Sequence, residues 1–113
     1  MLEDANLLLE EKAISKGNKR IILAYKELCE KNPIFNATTN IEVGLTDFIS
    51  VKYDSPLDDI EFSINFFIYE NSCNMDVLVS GDIQDTFVVS KYTDLEKCIL
   101  NIYNTTLKKI KGN

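Results

Sequence analysis

The feature that most constrains the fold is a strict alternation of apolar and polar side chains in the middle of the chain. Every second residue from position 60 to position 68 is isoleucine or phenylalanine. Because successive side chains of a β-strand point to opposite faces, this spacing predicts a strand with one wholly apolar face. A second alternation, Cys73, Met75, Val77 and Val79, follows after a short polar turn. The two runs therefore predict a β-hairpin with one buried surface.

Further strands are predicted on both sides of this hairpin. Residues 83–90 form a third apolar run, in which Phe87 and Val89 are expected to share the buried face. Residues 34–53 contain two groups of strand-forming residues ahead of the hairpin. They predict either two short strands around a tight turn at residues 44–47 or one bulged strand. Since the strands follow one another along the chain, we expect an antiparallel meander.

Helices are predicted at both ends of the chain. Residues 2–15 and 19–31 are rich in helix formers, and they predict either two helices or one long helix bent at Gly17. Thr93 and Glu96 match a capping box, after which apolar residues recur at helical spacing. This apolar stripe consists of Leu95, Cys98, Ile99, Ile102, Thr106 and Ile110.

Together these elements predict an α+β fold in a single domain of residues 1–113. An N-terminal helix or helix pair leads into an antiparallel meander of four to five strands, and the C-terminal helix packs on one face of the sheet. A chain of 113 residues can bury a core without disulfides or structural metals. Cys29, Cys73 and Cys98 fall on predicted apolar faces, which indicates buried thiols in a reducing compartment.

Charge and composition narrow the classes of function. The formal net charge is −6, which disfavours nucleic-acid binding because phosphates would be repelled. No apolar stretch reaches the roughly eighteen residues that span a bilayer, and the first residues lack the basic start of a secretory signal. We therefore expect a cytoplasmic protein without a membrane partner. An acidic chain also favours a basic partner, because opposite charge speeds their encounter.

The sequence contains no pattern that predicts catalysis. The chain has no histidine, which removes the commonest general base and the commonest metal ligand. Asp58, Asp59 and Glu61 form the densest group of carboxylates, but they lack the ordered loop pattern of a calcium site. A solvated acidic loop is the favoured interpretation. We expect no enzyme activity, no metal and no cofactor.

The opposite face of the hairpin is a candidate binding surface. By the same alternation it carries Glu61, Asp76 and Asp82, with amide side chains, beside Phe67, Tyr69 and Leu78. If all helices pack on one side of the sheet, this face is exposed to solvent. Aromatic anchors surrounded by polar groups are typical of protein interfaces. In the alternative interpretation, a helix that contains residues 7–9 covers Phe67 and Leu78 as a third layer.

This layout resembles that of bacterial immunity proteins, including those of contact-dependent growth inhibition systems. The resemblance lies in residues 59–64, DIEFSI, which lead into the hairpin, and in residues 92–97, YTDLEK, which open the last helix. It is a resemblance of architecture and covers most of the chain. It implies a stoichiometric inhibitor that binds a cognate toxin domain, often a basic nuclease, and blocks its active site or an adjoining surface.

Under this hypothesis five residues are candidate contacts with the protein partner: Glu61, Tyr69, Asp76, Asp82 and Asp85. The carboxylates would accept hydrogen bonds from arginine and lysine in positions that phosphates otherwise occupy, and Tyr69 would be an aromatic anchor. The protein is expected to be a monomer until it meets its partner. The alternative function is a structural or chaperone-like adaptor that forms a homodimer through the sheet edge or the N-terminal helix.

Overall fold

The structure is a computed structural model, and the residues that it describes are 5–7, 15–44, 47–55, 59–69, 71–89 and 95–112. Helix α1 spans Lys16–Lys31, the short helix α2 spans Pro33–Thr38, and helix α3 spans Leu95–Ile110. Residues 5–7 are helical as well. A five-stranded sheet lies between α2 and α3 in the chain, so the predicted α+β class is confirmed.

Helix α1 begins at a capping serine. Ser15 has an extended backbone, with φ −69° and ψ 157°, and its side-chain oxygen accepts a hydrogen bond from the Asn18 N–H at 3.1 Å. This bond satisfies one of the N–H groups that a helix start leaves without a partner. A helix does not run through Ser15, and the single bent helix is therefore wrong. The helix predicted at residues 19–31 is confirmed, although it starts at Lys16.

Helix α2 occupies part of a segment for which the sequence predicts only strands. Pro33 lies in the first turn of α2. Backbone N–H groups in the first turn have no hydrogen-bond partner within the helix, so proline, which lacks this N–H, is tolerated there. At its end the Thr39 hydroxyl donates to the Phe35 carbonyl oxygen at 2.6 Å. This side-chain bond satisfies a terminal carbonyl group, and the chain continues directly into the first strand.

Five strands form one antiparallel sheet in chain order. They are β1 Thr39–Val43, β2 Phe48–Tyr53, β3 Phe62–Ile68, β4 Cys73–Val79 and β5 Asp82–Val89. The predicted meander of four to five strands is confirmed. Strands β1 and β2 confirm the two-strand interpretation of residues 34–53, and the single bulged strand is wrong.

The predicted alternation gives the sheet one buried face. Its central members on β3 and β4 are Phe62, Ile64, Phe66, Ile68, Cys73, Met75 and Val77, and all of them are buried. Pairing places Ile64 opposite Val77 and Phe66 opposite Met75. Directly opposed residues share a face, so the two strands contribute to one apolar layer. Ile60 lies before β3 and is half-buried.

On strand β5 the predicted burial of Phe87 and Val89 is fully confirmed only for Val89. Val89 is buried, as expected. Phe87 pairs with Met75 and therefore lies on the same face, but 38% of its surface is exposed. The reason is its position on an outer strand, where a groove lies between Phe87 and helix α3.

Aromatic contacts hold α3 and α2 over the buried face. Tyr103 of α3 packs on Phe62 and Tyr53, with ring centroids 6.1 and 6.2 Å apart, and edge-on against Phe35 of α2 at 5.1 Å. The Tyr103 hydroxyl also forms a 2.6 Å hydrogen bond with the Thr38 hydroxyl. The predicted packing of the C-terminal helix on one sheet face is therefore confirmed.

The stripe predicted for α3 accounts for this packing. Its members Leu95, Ile99, Ile102 and Thr106 are buried, while Cys98 and Ile110 are half-buried. Thr93, with which the predicted capping box begins, lies outside the described residues.

Helix α1 also lies against the buried face. Ile21, Ile22 and Tyr25 have no exposed surface, and the Tyr25 hydroxyl forms a 2.9 Å hydrogen bond with the Thr39 hydroxyl on β1. A Cβ atom at Gly17 would collide with the Ile68 side chain. Glycine at this position therefore allows the first turn of α1 to approach β3 closely.

Replacing two neighbouring phenylalanines by alanine tests the one-sided burial. Phe66 is fully buried, whereas 38% of Phe67 is exposed on the other face. We expect Phe66→Ala to lower the free energy of unfolding by about 3 to 5 kcal/mol, because it leaves a cavity in the core. Phe67→Ala is the matched control and should cost about 1 kcal/mol. Urea unfolding followed by circular dichroism measures both, and equal losses would contradict the arrangement.

Candidate protein-binding surface

The sheet side chains that point away from the buried face form a second surface, which we call the open face. Its central row runs across all five strands in register: Glu42, Ser50, Asn65, Asp76 and Thr86. The row on one side of it contains Phe48, Phe67, Asn74 and Val88. The row on the other side contains Asn40, Lys52, Ser63, Leu78 and Ile83. Glu61 and Tyr69 continue the alternation just beyond the two ends of β3.

Hydrogen bonds between neighbouring strands order the central row. The Ser50 hydroxyl donates to Asn65 Oδ1 at 2.7 Å, and the Thr86 hydroxyl donates to Asp76 Oδ1 at 3.0 Å. Asn65 and Asp76 are themselves directly opposed on β3 and β4. The acceptor oxygens of this row are thus held in place before any partner arrives, which lowers the entropy cost of binding.

Aromatic and apolar side chains lie at one end of the open face. The rings of Phe48 and Phe67 are 5.2 Å apart between centroids and tilted by 54°. Val88 of β5 is 67% exposed and Tyr69 is 56% exposed. The Tyr69 backbone N–H donates to the Ser72 carbonyl oxygen at 2.8 Å, which fixes the turn after β3. This end of the face can therefore bury apolar surface of a partner.

A shallow depression of about 330 Å³ lies at the other end of the open face. Lys52, Asp54, Glu61 and Leu78 are among the residues that line it. The Glu61 carbonyl oxygen accepts a hydrogen bond from the Ser80 N–H at 3.0 Å, which ties β3 to the following turn. Lys52 forms an ion pair with Glu42 at 2.9 Å. Two further carboxylates in the depression, those of Asp54 and Glu61, are suitable acceptors for a cationic side chain.

The structure brings three of the five predicted contact residues together on the open face and separates the other two from them. Glu61 and Asp76 occupy the open face as predicted, and Tyr69 lies at its aromatic end. Asp82 pairs with Val79 and Asp85 pairs with Val77, so both aspartates lie on the side of the sheet that carries the helices. The predicted place of Asp82 on the open face is therefore wrong, and Asp85, which was a candidate contact without an assigned face, does not belong to the open face either.

Turn geometry and a bulge explain this error. Ser80 and Gly81 have φ values of 52° and 86°, and this two-residue turn pairs Val79 directly with Asp82. A bulge between Val77 and Leu78 then shifts the register of β5. For Asp85 the sequence did contain the signal, because it alternates in step with Phe87 and Val89, which were assigned to the buried face.

Several residues of the open face were not predicted as candidates. Ser50, Lys52 and Thr86 lie on strands β2 and β5, outside the hairpin from which the candidates were chosen. The sequence did contain a signal for β2, since the apolar residues Ile49, Val51 and Tyr53 alternate with Ser50 and Lys52. In the structure Ser50 is buried and Lys52 is exposed.

The alternative prediction was that a helix containing residues 7–9 covers Phe67 and Leu78 on the open face as a third layer. Leu7 is 64% exposed, and residues 8 and 9 lie outside the described residues. Phe67 is 38% exposed and Leu78 is half-buried, so neither side chain is sealed from solvent.

All three cysteines are free, and the pKa values of Cys29 and Cys73 are raised. Cys29 and Cys73 are buried, and Cys98 is half-buried. Burial raises the pKa of the Cys29 thiol. Burial, and secondarily the nearby Cys98, raises the pKa of Cys73 to about 11. Both thiols are protonated at neutral pH, and a thiol is a much weaker nucleophile than a thiolate.

A cluster of charged residues joins the end of α1 to the start of α3. The Lys31 ammonium lies 3.5 Å from a Glu96 carboxylate oxygen and 3.9 Å from a Glu27 oxygen. Partial burial, followed by the hydrogen bond and the negative charge of Glu27, raises the pKa of Glu96 despite Lys31. The cluster lies on helices α1 and α3 and contributes to the contact between them.

Comparisons with known proteins do not identify a family for this chain. Comparisons with protein-family models, with curated proteins and with solved structures find no significant match. Within the described residues, no group of three or more cysteine, aspartate or glutamate side chains could hold a metal ion, and no helix is long and apolar enough to cross a membrane. The resemblance to immunity proteins therefore stays a hypothesis.

The raised pKa of Glu96 predicts a stability effect that depends on pH. An ionised Glu96 opposes folding at pH values above its raised pKa, and this effect is absent below the ordinary carboxyl pKa of about 4.3. We expect Glu96→Gln to stabilise the protein at pH 7 by less than about 1 kcal/mol, because the group is partly exposed. Thermal melts at pH 7 and at low pH check this.

Glu30→Gln removes a carboxylate from an exposed position on α1 and is the matched control. The gain from Glu96→Gln should disappear as the pH falls, and a gain of equal size at both pH values would contradict the assignment.

Proposed function

We propose that this chain is a non-catalytic protein-binding inhibitor, an immunity protein that binds and neutralises a cognate bacterial toxin domain. The open face is the observation that carries the proposal. Its accessible carboxylates, ordered polar row and exposed aromatic end occur on a sheet whose other face is committed to the core. A surface of this composition suits recognition of another protein.

The electrostatics of the chain favour a cationic partner. The net charge is −6, and Glu61 and Asp54 line a depression in which an arginine or lysine side chain fits. Charge-assisted hydrogen bonds to carboxylates are about twice as strong as neutral ones. A toxin that cleaves nucleic acid has a cationic cleft for phosphates, and an acidic surface of this kind competes for it. Inhibition by occupying or adjoining that cleft requires no catalytic group on the inhibitor.

The aromatic end supplies a second component of binding. Tyr69 is 56% exposed and loses little side-chain entropy when it is fixed, so it is suited to anchor a partner. Phe67 and Val88 extend the apolar area beside it. Carboxylates then determine the partner's charge and orientation, while Tyr69 and its neighbours supply buried area.

A structural adaptor that acts as a homodimer is the second candidate function. The observation that favours it is strand β5, which lies at one end of the described sheet and exposes Ile83, Phe87 and Val88. Edge strands with exposed apolar side chains pair with other strands. The two functions predict different oligomeric states for the purified chain: a monomer for the inhibitor and a homodimer for the adaptor.

Charge reversal on the open face tests the inhibitor proposal. The proposal predicts that a neighbouring reading frame encodes the cognate toxin domain, and that domain is the partner to assay. The double variant Glu61→Lys with Asp76→Lys should weaken binding by about 10- to 100-fold and reduce the dependence of affinity on salt, because two attractive contacts become repulsive. Isothermal titration at several salt concentrations measures both effects.

The control for charge alone is a double variant of the same net charge on α1, Glu27→Lys with Glu30→Lys, which should bind as the unmodified chain does. Unchanged affinity in the open-face variant would exclude this face. Failure of the unmodified chain to bind or inhibit the neighbouring toxin domain would reject the inhibitor function.

The oligomeric state separates the two functions independently. We expect the purified chain to sediment as a monomer at micromolar concentration, because two copies of net charge −6 repel each other. Analytical ultracentrifugation at low and moderate salt checks this. A dimer that persists on dilution would instead support the adaptor.

A further inference from the structure

The two edges of the sheet differ in how well they are protected. The β1 edge is five residues long and starts directly at the end of α2. Strand β5, at the other edge, is eight residues long, and its side chains from Asp82 to Val88 are all exposed. Strand β5 is last in the described sheet, so one row of its backbone N–H and C=O groups points away from β4.

Natural proteins protect such an edge with lysine and other charged residues, with proline, with bulges or with short length. On β5 the protecting features are a bulge near its start and the two aspartates Asp82 and Asp85. Strand β5 contains neither lysine nor proline, and Ile83 and Val88 are 62% and 67% exposed. The bulge at Gln84, opposite Val77 and Leu78, disturbs pairing near the start of β5, whereas residues 85–89 pair regularly with residues 73–77 of β4. We call the outer side of residues 85–89 the β5 edge. It is the part of the strand that can receive another strand in regular register.

One backbone donor in this segment is satisfied by a side chain. The Thr86 N–H donates to Asp85 Oδ1 at 3.0 Å in an exposed position. The carbonyl oxygen of an incoming strand can replace this acceptor, because the exchange leaves the backbone donor paired. The Asp85 carboxylate is then available to a cationic side chain of the incoming strand.

A groove of about 490 Å³ opens beside the β5 edge on the helix side. Asp85 and Phe87 of β5 line it together with Val77 of β4 and with Ile102 and Lys109 of α3. Its volume falls within the range of ligand-binding clefts, roughly 300 to 1,000 Å³. Side chains of an added strand that point to this side would meet the Asp85 carboxylate, apolar surface and, further along α3, the Lys109 ammonium.

Charge determines the kind of strand that fits. Asp82 and Asp85 lie on the helix side of β5, and Asp85 lines the groove together with Lys109. A second copy of the chain would bring its own β5 carboxylates and its net charge of −6 to the same ladder, and like charges on adjacent strands are destabilising. A cationic strand would instead be attracted by the β5 carboxylates and by the net negative charge of the chain.

We infer that the β5 edge binds an extended, cationic segment of a protein partner as an additional strand. Apolar side chains of this segment lie beside Thr86 and Val88 on the open face, and alternate with lysine or arginine side chains beside Asp85 on the helix side. Main-chain hydrogen bonds supply affinity in such strand addition, and the alternate side chains supply specificity. The inference concerns the edge of the sheet and does not depend on the partner being a toxin.

A peptide titration tests strand addition. The probe is a capped seven-residue peptide of alternating valine and lysine, added to the isotope-labelled full chain and followed by NMR. We expect saturable binding with a dissociation constant below about 1 mM and shift changes concentrated at residues 85–89. The same peptide with N-methyl groups on alternate amides should bind about tenfold more weakly or worse, because it lacks donors for the edge. A peptide with glutamate in place of lysine should not bind.

Two variants of the chain form a matched pair. Thr86→Pro removes the edge N–H and should reduce affinity for the valine–lysine peptide by about tenfold or more. Thr86→Ala removes only the hydroxyl bond to Asp76 and should retain binding. Should the proline variant fail to fold, the N-methylated peptide makes the same distinction on the unmodified chain.

Three results would overturn the inference. The first is the absence of saturable binding of the valine–lysine peptide. The second is equal binding of the N-methylated peptide, since contacts other than strand hydrogen bonds would then hold it. The third is a dimer of the chain that Thr86→Pro converts to a monomer, which would make a second copy the occupant of the edge.

Discussion

The contact between the apolar side of β3 and β4 and the helices above it is the constraint on which the rest of the structure depends. Phe66 and Met75 form a directly opposed pair with almost no exposed surface. Tyr103 packs on the neighbouring Phe62, and its hydroxyl is hydrogen-bonded to Thr38, so α3, α2 and the sheet are joined at one point. Successive side chains of a strand point to opposite faces of the sheet. When one face of β3 and β4 is buried in the core, the alternate side chains therefore lie on the open face, where they can contact a partner.

Hydrogen bonds hold several polar side chains of the open face in fixed positions. Across the open face, each strand contributes one member to a row of polar side chains, and hydrogen bonds from Ser50 and Thr86 fix the acceptors Asn65 and Asp76. A sheet supported from behind by a packed core moves little, so these groups keep their positions when a partner binds. The surface therefore combines accessibility with pre-organisation, and this combination is why we favour recognition of a macromolecule as the function.

Strand β5 connects the two surfaces that we propose for binding. Thr86 and Val88 belong to the open face, while Asp85 and Phe87 face the groove beside α3. A partner that adds a strand at the β5 edge would thus extend the open face and could contact its central row without any change in the fold. Both surfaces carry negative charge that can attract a cationic partner. Asp76 lies on the open face of β4, and Asp85 lies on the helix side of the neighbouring strand β5.

The sequence by itself determined the features that depend on local periodicity. The alternation at residues 60–68 and 73–79 predicted the strands and the buried face, and the helical spacing after Leu95 predicted the stripe that packs on it, because side-chain direction follows from backbone conformation alone. It did not predict α2, whose short length leaves too few turns for a periodic signal, and it assigned Asp82 to the wrong face. Only the tertiary structure decided that assignment, because the two-residue turn and the bulge set the register of β5 through pairing with β4. The exposure of Phe87 was likewise decided by tertiary structure, since it depends on how far α3 extends over an outer strand, and that is a property of packing between distant parts of the chain.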